Sequence, residues 1–118
     1  MNKYNEYDQM FWKELDTLFK SSKVIIDRPK GSVHPKYPDF IYPVDYGYLV
    51  NTSSMDGGGI DIWVGTKNIK MIDSILCIID TVKRDSEIKI LYGCTSSEKE
   101  IIYKIQNEGF MKAIMICR

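Results

Sequence analysis

Residues 42–61 read YPVDYGYLVNTSSMDGGGID, and the reading of the whole chain turns on them. Tyr42, Pro43, Tyr46, Gly47 and Tyr48 crowd into the first part of the stretch. A polar run follows, and then two carboxylates, Asp56 and Asp61, with Gly57, Gly58 and Gly59 between them. No other segment combines unusual backbone geometry with chemical groups so densely. Residues 60–64 (IDIWV) alternate apolar and polar and predict a strand, with Asp61 facing away from Ile60 and Ile62.

Working upstream, residues 28–43 hold Pro29, Pro35, Pro38 and Pro43, all four prolines of the chain. Such a segment forms neither a regular helix nor a central strand, so it is read as a stiff, ordered excursion. Before it, residues 23–27 (KVIID) are β-branched and predict a short strand. Residues 5–20 predict an amphipathic helix whose apolar stripe is Tyr7, Phe11, Leu15, Leu18 and Phe19. Trp12 lies off that stripe and is expected to be exposed, free to meet a partner or a loop.

Downstream, residues 72–82 form a long apolar run that predicts a buried strand. Residues 83–86 are a charged turn, and 87–94 (EIKILYGC) are the return strand of a hairpin. Alternation puts Glu87, Lys89 and Leu91 on one face and Ile88, Ile90 and Tyr92 on the other. Ser97 and Glu100 form a capping-box pattern that opens a helix reaching to about residue 107, with Ile101, Ile102 and Ile105 as its apolar face. Gly109 fits the position after such a helix, and 110–117 predict a last strand. Helix, several antiparallel-looking strands, helix, strand is the pattern of an α+β domain with a curled sheet or small barrel.

The chain has 118 residues, a length suited to one domain spanning 1–118 with a core that needs no staples. Sixteen Lys and Arg balance sixteen Asp and Glu, which argues against broad binding to nucleic acid or to an anionic membrane. Cys77, Cys94 and Cys117 are widely spaced and odd in number, so they are read as reduced core thiols of a cytoplasmic protein. No signal peptide or bilayer-length apolar run is visible in the sequence.

The chemistry narrows by elimination. His34 is the only histidine, which disfavours a histidine-built zinc site. GxSxG, GxxxxGK[ST] and GxGxxG are absent from the sequence. Oxygen-ligand chemistry remains. Carboxylates spaced across a glycine turn suit Mg²⁺, and nearby tyrosines and lysines suit a phosphate. On residue types alone, a solvated acidic turn closing a hairpin explains the same stretch.

Order and spacing add a resemblance. YPVDYGYL, followed by Asp56 and then Asp61, resembles the signature region of soluble family I inorganic pyrophosphatases, in which YPxNYGY runs into a DGDPxD turn. Upstream, IDRPKGSVHPKY resembles that family's EIPKGSxxKYE segment, keeping Pro29, Lys30, Gly31, Ser32, Lys36 and Tyr37. EIKI at 87–90 looks like the family's DxK strand. The resemblance spans about residues 23–94. It implies an OB-like antiparallel β-barrel with flanking helices and Mg²⁺-dependent hydrolysis of pyrophosphate, in which metal ions activate water and neutralise the leaving phosphate. It further implies metal binding by Asp56, Asp61, Glu87 and Asp85, a catalytic place for Asp56, Asp61 and Tyr46, and substrate binding by Lys36, Tyr42 and Lys89.

The sequence departs from that family at telling places. Gly58 stands where the turn has its middle aspartate, and Gly59 where it has proline. The hairpin between Tyr37 and Tyr42, which carries a phosphate-binding arginine in the family, is largely deleted, and Arg28 does not align with that arginine. Pro38 replaces the glutamate after KY, Asp45 replaces asparagine, and the late Tyr-Lys clamp is missing. The resemblance is therefore compatible with a weak diphosphatase, with a non-hydrolysing phosphate, pyrophosphate or nucleotide binder, and with a structural OB-like module. The exposure expected for Trp12 and the shortened barrel edge leave homo-oligomerisation open.

Overall fold

The computed structural model describes residues 3–55 and 57–118. After a single 3₁₀ turn at Lys3–Asn5 come α1 (Asp8–Lys20), β1 (Val24–Arg28), β2 (Asp45–Leu49), β3 (Asp61–Val64), β4 (Ile72–Asp80), β5 (Asp85–Tyr92), α2 (Ser96–Ile105) and β6 (Met111–Cys117). The strands form one six-stranded sheet in the order β1-β2-β3-β5-β4-β6. The expected α+β architecture is the one observed. One sheet detail differs from the expectation of antiparallel neighbours: β3 and β5 run parallel, Trp63 opposite Leu91. After β3 the chain passes over to β4, and the β4–β5 hairpin folds β5 back beside β3. Alternation encodes a strand's face and not its neighbour. Among the described residues no pairing joins β1 to β6, so the hydrogen-bonded sheet is not closed into the barrel that the resemblance implies.

Each face of the sheet buries its own core. Tyr46, Trp63, Leu76, Ile78, Leu91 and Ala113 form one, with Tyr42 and Val44 from the preceding loop and Ile102 from α2. Ile62, Ile75 and Ile90 form the other, closed by Trp12, Leu15 and Phe19 of α1. Full burial of each large apolar side chain is worth about 1.5–3 kcal/mol, so both helices are held chiefly by these faces. Among the described residues no helix is long and apolar enough to cross a membrane.

The helix faces correct the sequence reading. Trp12, expected to be exposed, is the buried residue of α1, whereas Tyr7 is 64% and Phe11 45% exposed. The stripe that meets the sheet is Trp12, Leu15 and Phe19, also spaced by three and four. Two overlapping stripes exist on this helix, and the indole, with more area to bury, decides between them. The Arg118 guanidinium lies 5.7 Å from the Trp12 ring centroid and pairs with Asp16 at 2.8 Å, which fixes the last strand to α1. At α2 the capping box belongs to Thr95 and Glu98, two positions before the expected pair. The cysteines also divide: Cys94 is buried, Cys77 half-buried and Cys117 exposed, all with free thiols.

The proline-rich segment is an ordered loop, as expected. It is closed by backbone hydrogen bonds from Gly31 N to Tyr42 O (2.8 Å), Tyr42 N to Ser32 O (2.9 Å) and His34 N to Phe40 O (3.0 Å). An antiparallel bridge pairs Val33 with Ile41. These bonds carry Tyr42 to the edge of the core, where it is 4% exposed.

Candidate functional site

The site is built on the sheet face that holds Tyr46. Antiparallel pairing sets Tyr46 of β2 opposite Trp63 of β3, and Asp61 lies two residues before Trp63 on the same face. Parallel pairing then sets Trp63 beside Leu91 of β5, so Lys89 and Glu87 follow on that face along β5. Strand register alone therefore gathers Tyr46, Asp61, Glu87 and Lys89 from three strands.

Lys89 is the hub. Its side chain is 10% exposed, and its ammonium donates to the Tyr46 hydroxyl at 2.7 Å. Asp61 Oδ2 lies 3.7 Å from the same nitrogen and Glu87 Oε1 3.5 Å from it. The Tyr46 hydroxyl donates in turn to the Asp61 carboxylate. The phenol is pushed far above its usual value, first by burial, then by the charge and hydrogen bond of Asp61 and the charge of Glu87. Tyr46 is thus a neutral donor at any physiological pH. Lys89 also sits 5.0 Å over the Tyr46 ring. Beneath the polar groups lie Trp63 and Leu91, apolar neighbours that raise the strength of each polar contact.

Next to this cluster stands a second one. The Tyr42 ring lies 5.3 Å from the Tyr46 ring and 5.8 Å from Trp63. Its hydroxyl accepts a hydrogen bond from Arg28 Nη1, and the guanidinium carbon is 5.6 Å from the ring centroid. His34 lies parallel to Tyr42 at 6.1 Å and 10°. The imidazole is held below its usual pKa, by partial burial first and then by the charges of Arg28, Lys36, Lys83 and Lys89. Several cations therefore face this rim.

The sequence-predicted residues are distributed as follows. Tyr46, Asp61, Glu87 and Lys89 come together. Tyr42 adjoins them with its hydroxyl engaged by Arg28. Lys36 is exposed on the proline-rich loop, its backbone N–H donating to His34 Nδ1 at 3.0 Å. Asp85 opens β5 opposite Asp80, on the same face as Glu87 but nearer the hairpin tip. Asp56 lies outside the described residues. Asp45, which replaces an asparagine of the resembled motif, accepts the Lys30 backbone N–H at 2.8 Å, and so serves as a loop brace.

Arg28 is the residue that sequence reading passed over. A shift in the β1–β2 register between Ile26 and Arg28 sets Arg28 opposite Tyr46. Plain alternation from Val24 puts Arg28 on the other face. The signal was the Asp27-Arg28-Pro29 run at a strand end, where bulges concentrate and re-aim side chains.

The acidic turn is knit together around Ser54. Ser54 N donates to Gly58 O at 2.8 Å, and Gly57 N to Ser54 O at 3.0 Å. Gly57 takes a left-handed φ of 83°. Gly59 packs so closely that a Cβ there would lie 2.5 Å from Leu49 O. With Gly59 where the resembled turn has proline, the turn is held by these backbone bonds and by the Ser54 hydroxyl, which donates toward Gly58 O and Gly59 O at 3.3 Å each.

Asp61 and Glu87 converge on one ammonium, so they also lie within reach of one small cation. Their all-oxygen donor set suits a hard ion such as Mg²⁺ and fits two of its ligands. Among the described residues no group of three or more His, Cys, Asp or Glu side chains is arranged around a metal position. Away from this site, an apolar groove of about 960 Å³ runs between α1 and the other face of the sheet, lined by Phe11, Leu18, Ile79, Ile88 and Ile114.

No family model matches the sequence, and no curated protein does. The fold is nonetheless shared with solved structures. An inorganic pyrophosphatase from Neisseria gonorrhoeae superposes with a TM-score of 0.59 at 18% identity, over 85% of this chain and 84% of that one. The inorganic pyrophosphatase from Helicobacter pylori gives 0.53 at 14% identity, over 81% and 82%. An inorganic pyrophosphatase from Coxiella burnetii gives 0.53 at 16% identity, over 80% and 82%. The chain therefore has a pyrophosphatase-like fold, at identities where fold is what the likeness shows.

Proposed function

We propose that this chain binds inorganic pyrophosphate or a related phosphoanhydride at the Tyr46–Asp61–Glu87–Lys89 face and hydrolyses it weakly with Mg²⁺. The observation that supports this reading is the meeting of Tyr46, Asp61 and Glu87 on the buried ammonium of Lys89, within a fold shared with inorganic pyrophosphatases. Asp61 and Glu87, with Asp56 and Asp85 as further carboxylates from the sequence, are the proposed metal ligands. A divalent cation there supplies neutralisation of phosphate charge.

The chain's own groups have distinct parts in this reading. Lys89 carries three N–H donors; one goes to Tyr46, and Asp61 and Glu87 lie 3.7 and 3.5 Å from the nitrogen, so a phosphoryl oxygen would share the ammonium with these two carboxylates. Tyr46 keeps its proton and fixes the orientation of Asp61 by donating to it. Lys36, exposed on the proline-rich loop, is proposed to add charge at the rim. Gly58 supports weak turnover, because it stands where the resembled turn has a third carboxylate. The same residue favours a second reading, a binder of phosphoanions without turnover.

Phosphate release from pyrophosphate with Mg²⁺ tests the first reading, with Asp56→Ala and Asp61→Asn as controls that abolish it. Release that persists in both variants excludes this site. No release from wild type, together with calorimetric binding of pyrophosphate, selects the second reading. Absence of both leaves a structural OB-like module.

A further inference from the structure

Two cations on this face are each braced by a tyrosine, and the two tyrosines are neighbours. Lys89 donates to the Tyr46 hydroxyl and lies 5.0 Å from that ring's centroid. Arg28 donates to the Tyr42 hydroxyl and lies 5.6 Å from that ring's centroid. The two rings are 5.3 Å apart. The arrangement repeats one motif, cation on tyrosine, on two neighbouring rings.

Arg28 reaches this position only through the β1 irregularity. Val24 pairs with Leu49 and Ile26 with Gly47, residues of the α1 side of the sheet. Without the extra residue Arg28 would join them. The register shift turns it to face Tyr46's side instead. A guanidinium has five N–H donors, and Tyr42 engages Nη1. Among the described residues no carboxylate forms an ion pair with Arg28. A half-buried, tyrosine-braced guanidinium with donors to spare is arranged for an anion that arrives from outside.

Resting on the proposal that phosphoanions enter at Lys89, we infer that Arg28 is a specificity-determining residue that receives the second phosphoryl group of a two-phosphate ligand. Lys89 takes the first group and Arg28 the second. Orthophosphate, with one group, engages Lys89 alone. The chain thereby prefers a phosphoanhydride to a single phosphate. His34 lies parallel to Tyr42 beside this pair.

The test measures binding of imidodiphosphate, which resists hydrolysis, and of orthophosphate, both by calorimetry with Mg²⁺ present. Arg28→Gln weakens imidodiphosphate by about 10- to 100-fold, the range of a lost charged hydrogen bond, and leaves orthophosphate within about twofold. Arg28→Lys keeps charge without the planar fork and falls between. Lys104→Gln, on the exposed side of α2, changes neither and controls for general charge. Equal weakening of both ligands by Arg28→Gln overturns the inference, because it shows that Arg28 only braces Tyr42. Unchanged imidodiphosphate binding in Arg28→Gln overturns it as well. If wild type binds neither ligand, the phosphoanion reading fails and this inference fails with it. Should Arg28→Gln unfold, the selectivity ratio of Arg28→Lys decides: a ratio equal to wild type is the overturning result.

Discussion

The Lys89 ammonium donates to the Tyr46 hydroxyl at 2.7 Å while Asp61 and Glu87 flank it within 3.7 Å. Four groups share one largely buried site, so each depends on the others. Tyr46→Phe removes an acceptor from Lys89 and a donor from Asp61. It is expected to lower unfolding stability by about 1–3 kcal/mol, the cost of leaving buried polar groups unpaired. Lys89→Met leaves two carboxylates facing each other without their cation and is expected to cost more, about 3 kcal/mol. Urea denaturation of both variants checks this. A Lys89→Met protein more stable than Tyr46→Phe contradicts the hub assignment.

Gly47 is required by strand contact and not by a left-handed backbone. A Cβ at this position would lie 1.8 Å from Ile25 O and 2.9 Å from Ile26 Cα. Backbone atoms of β1 cannot yield without breaking the β1–β2 ladder, which also carries Arg28 to the site. Gly47→Ala is expected to cost about 3 kcal/mol or more. It should also lower the denaturation midpoint without new solvent exposure at α2. A midpoint within error of wild type shows that β1 stands farther off than the contact implies.

Much of this was legible in the sequence because period-two alternation survives in the short strands. Glu87, Lys89 and Leu91 were assigned to one face of β5 and Asp61 to the face opposite Ile62, and both hold. What alternation could not supply was the partner of each strand. The parallel β3–β5 pair depends on where a hairpin folds back, and that is a long-range choice. Arg28 was missed for a related reason, since one extra residue in β1 inverts every face after it. On α1 the two apolar stripes differ by one position, and only packing against Ile62 and Ile90 selects Trp12. The capping box was placed two residues late because both Ser97–Glu100 and Thr95–Glu98 fit the pattern.

Gly58 offers a gain-of-function test. Its carbonyl accepts the Ser54 N–H, so the turn can keep its backbone bonds while a side chain is added. On the proposed activity, Gly58→Asp is expected to raise Mg²⁺-dependent phosphate release by about 10²-fold, the lower range for a positioned acid–base group. Gly59→Pro, the other change toward the resembled turn, is expected to destabilise the protein, because its Cβ would meet Leu49 O at 2.5 Å. Phosphate release and thermal unfolding on both single variants separate the two effects. No gain from Gly58→Asp indicates that the carboxylate is not the limiting loss.

Glu98 gives a pH dependence with a definite sign. Its carboxylate accepts from the Thr95 backbone at 2.8 Å as part of the α2 capping box, and from Thr66 Oγ1 at 2.6 Å. Burial raises its pKa, but the bonds from Thr66 and Thr95 outweigh burial and hold it below the usual 4.5. A depressed folded value means that the charged form is favoured by folding. The stabilisation is therefore fully present above the unfolded value and is lost as pH falls through the folded one. Glu98→Gln keeps an acceptor but not the charge. The stability difference between wild type and Glu98→Gln is expected to be about 0.5–1 kcal/mol at neutral pH, constant down to about pH 5 and shrinking below 4.5. Denaturant titrations of both proteins across the acid range measure it. A difference that stays flat to about pH 3 shows that the cap owes nothing to ionisation and that Thr66 contributes as a neutral partner only.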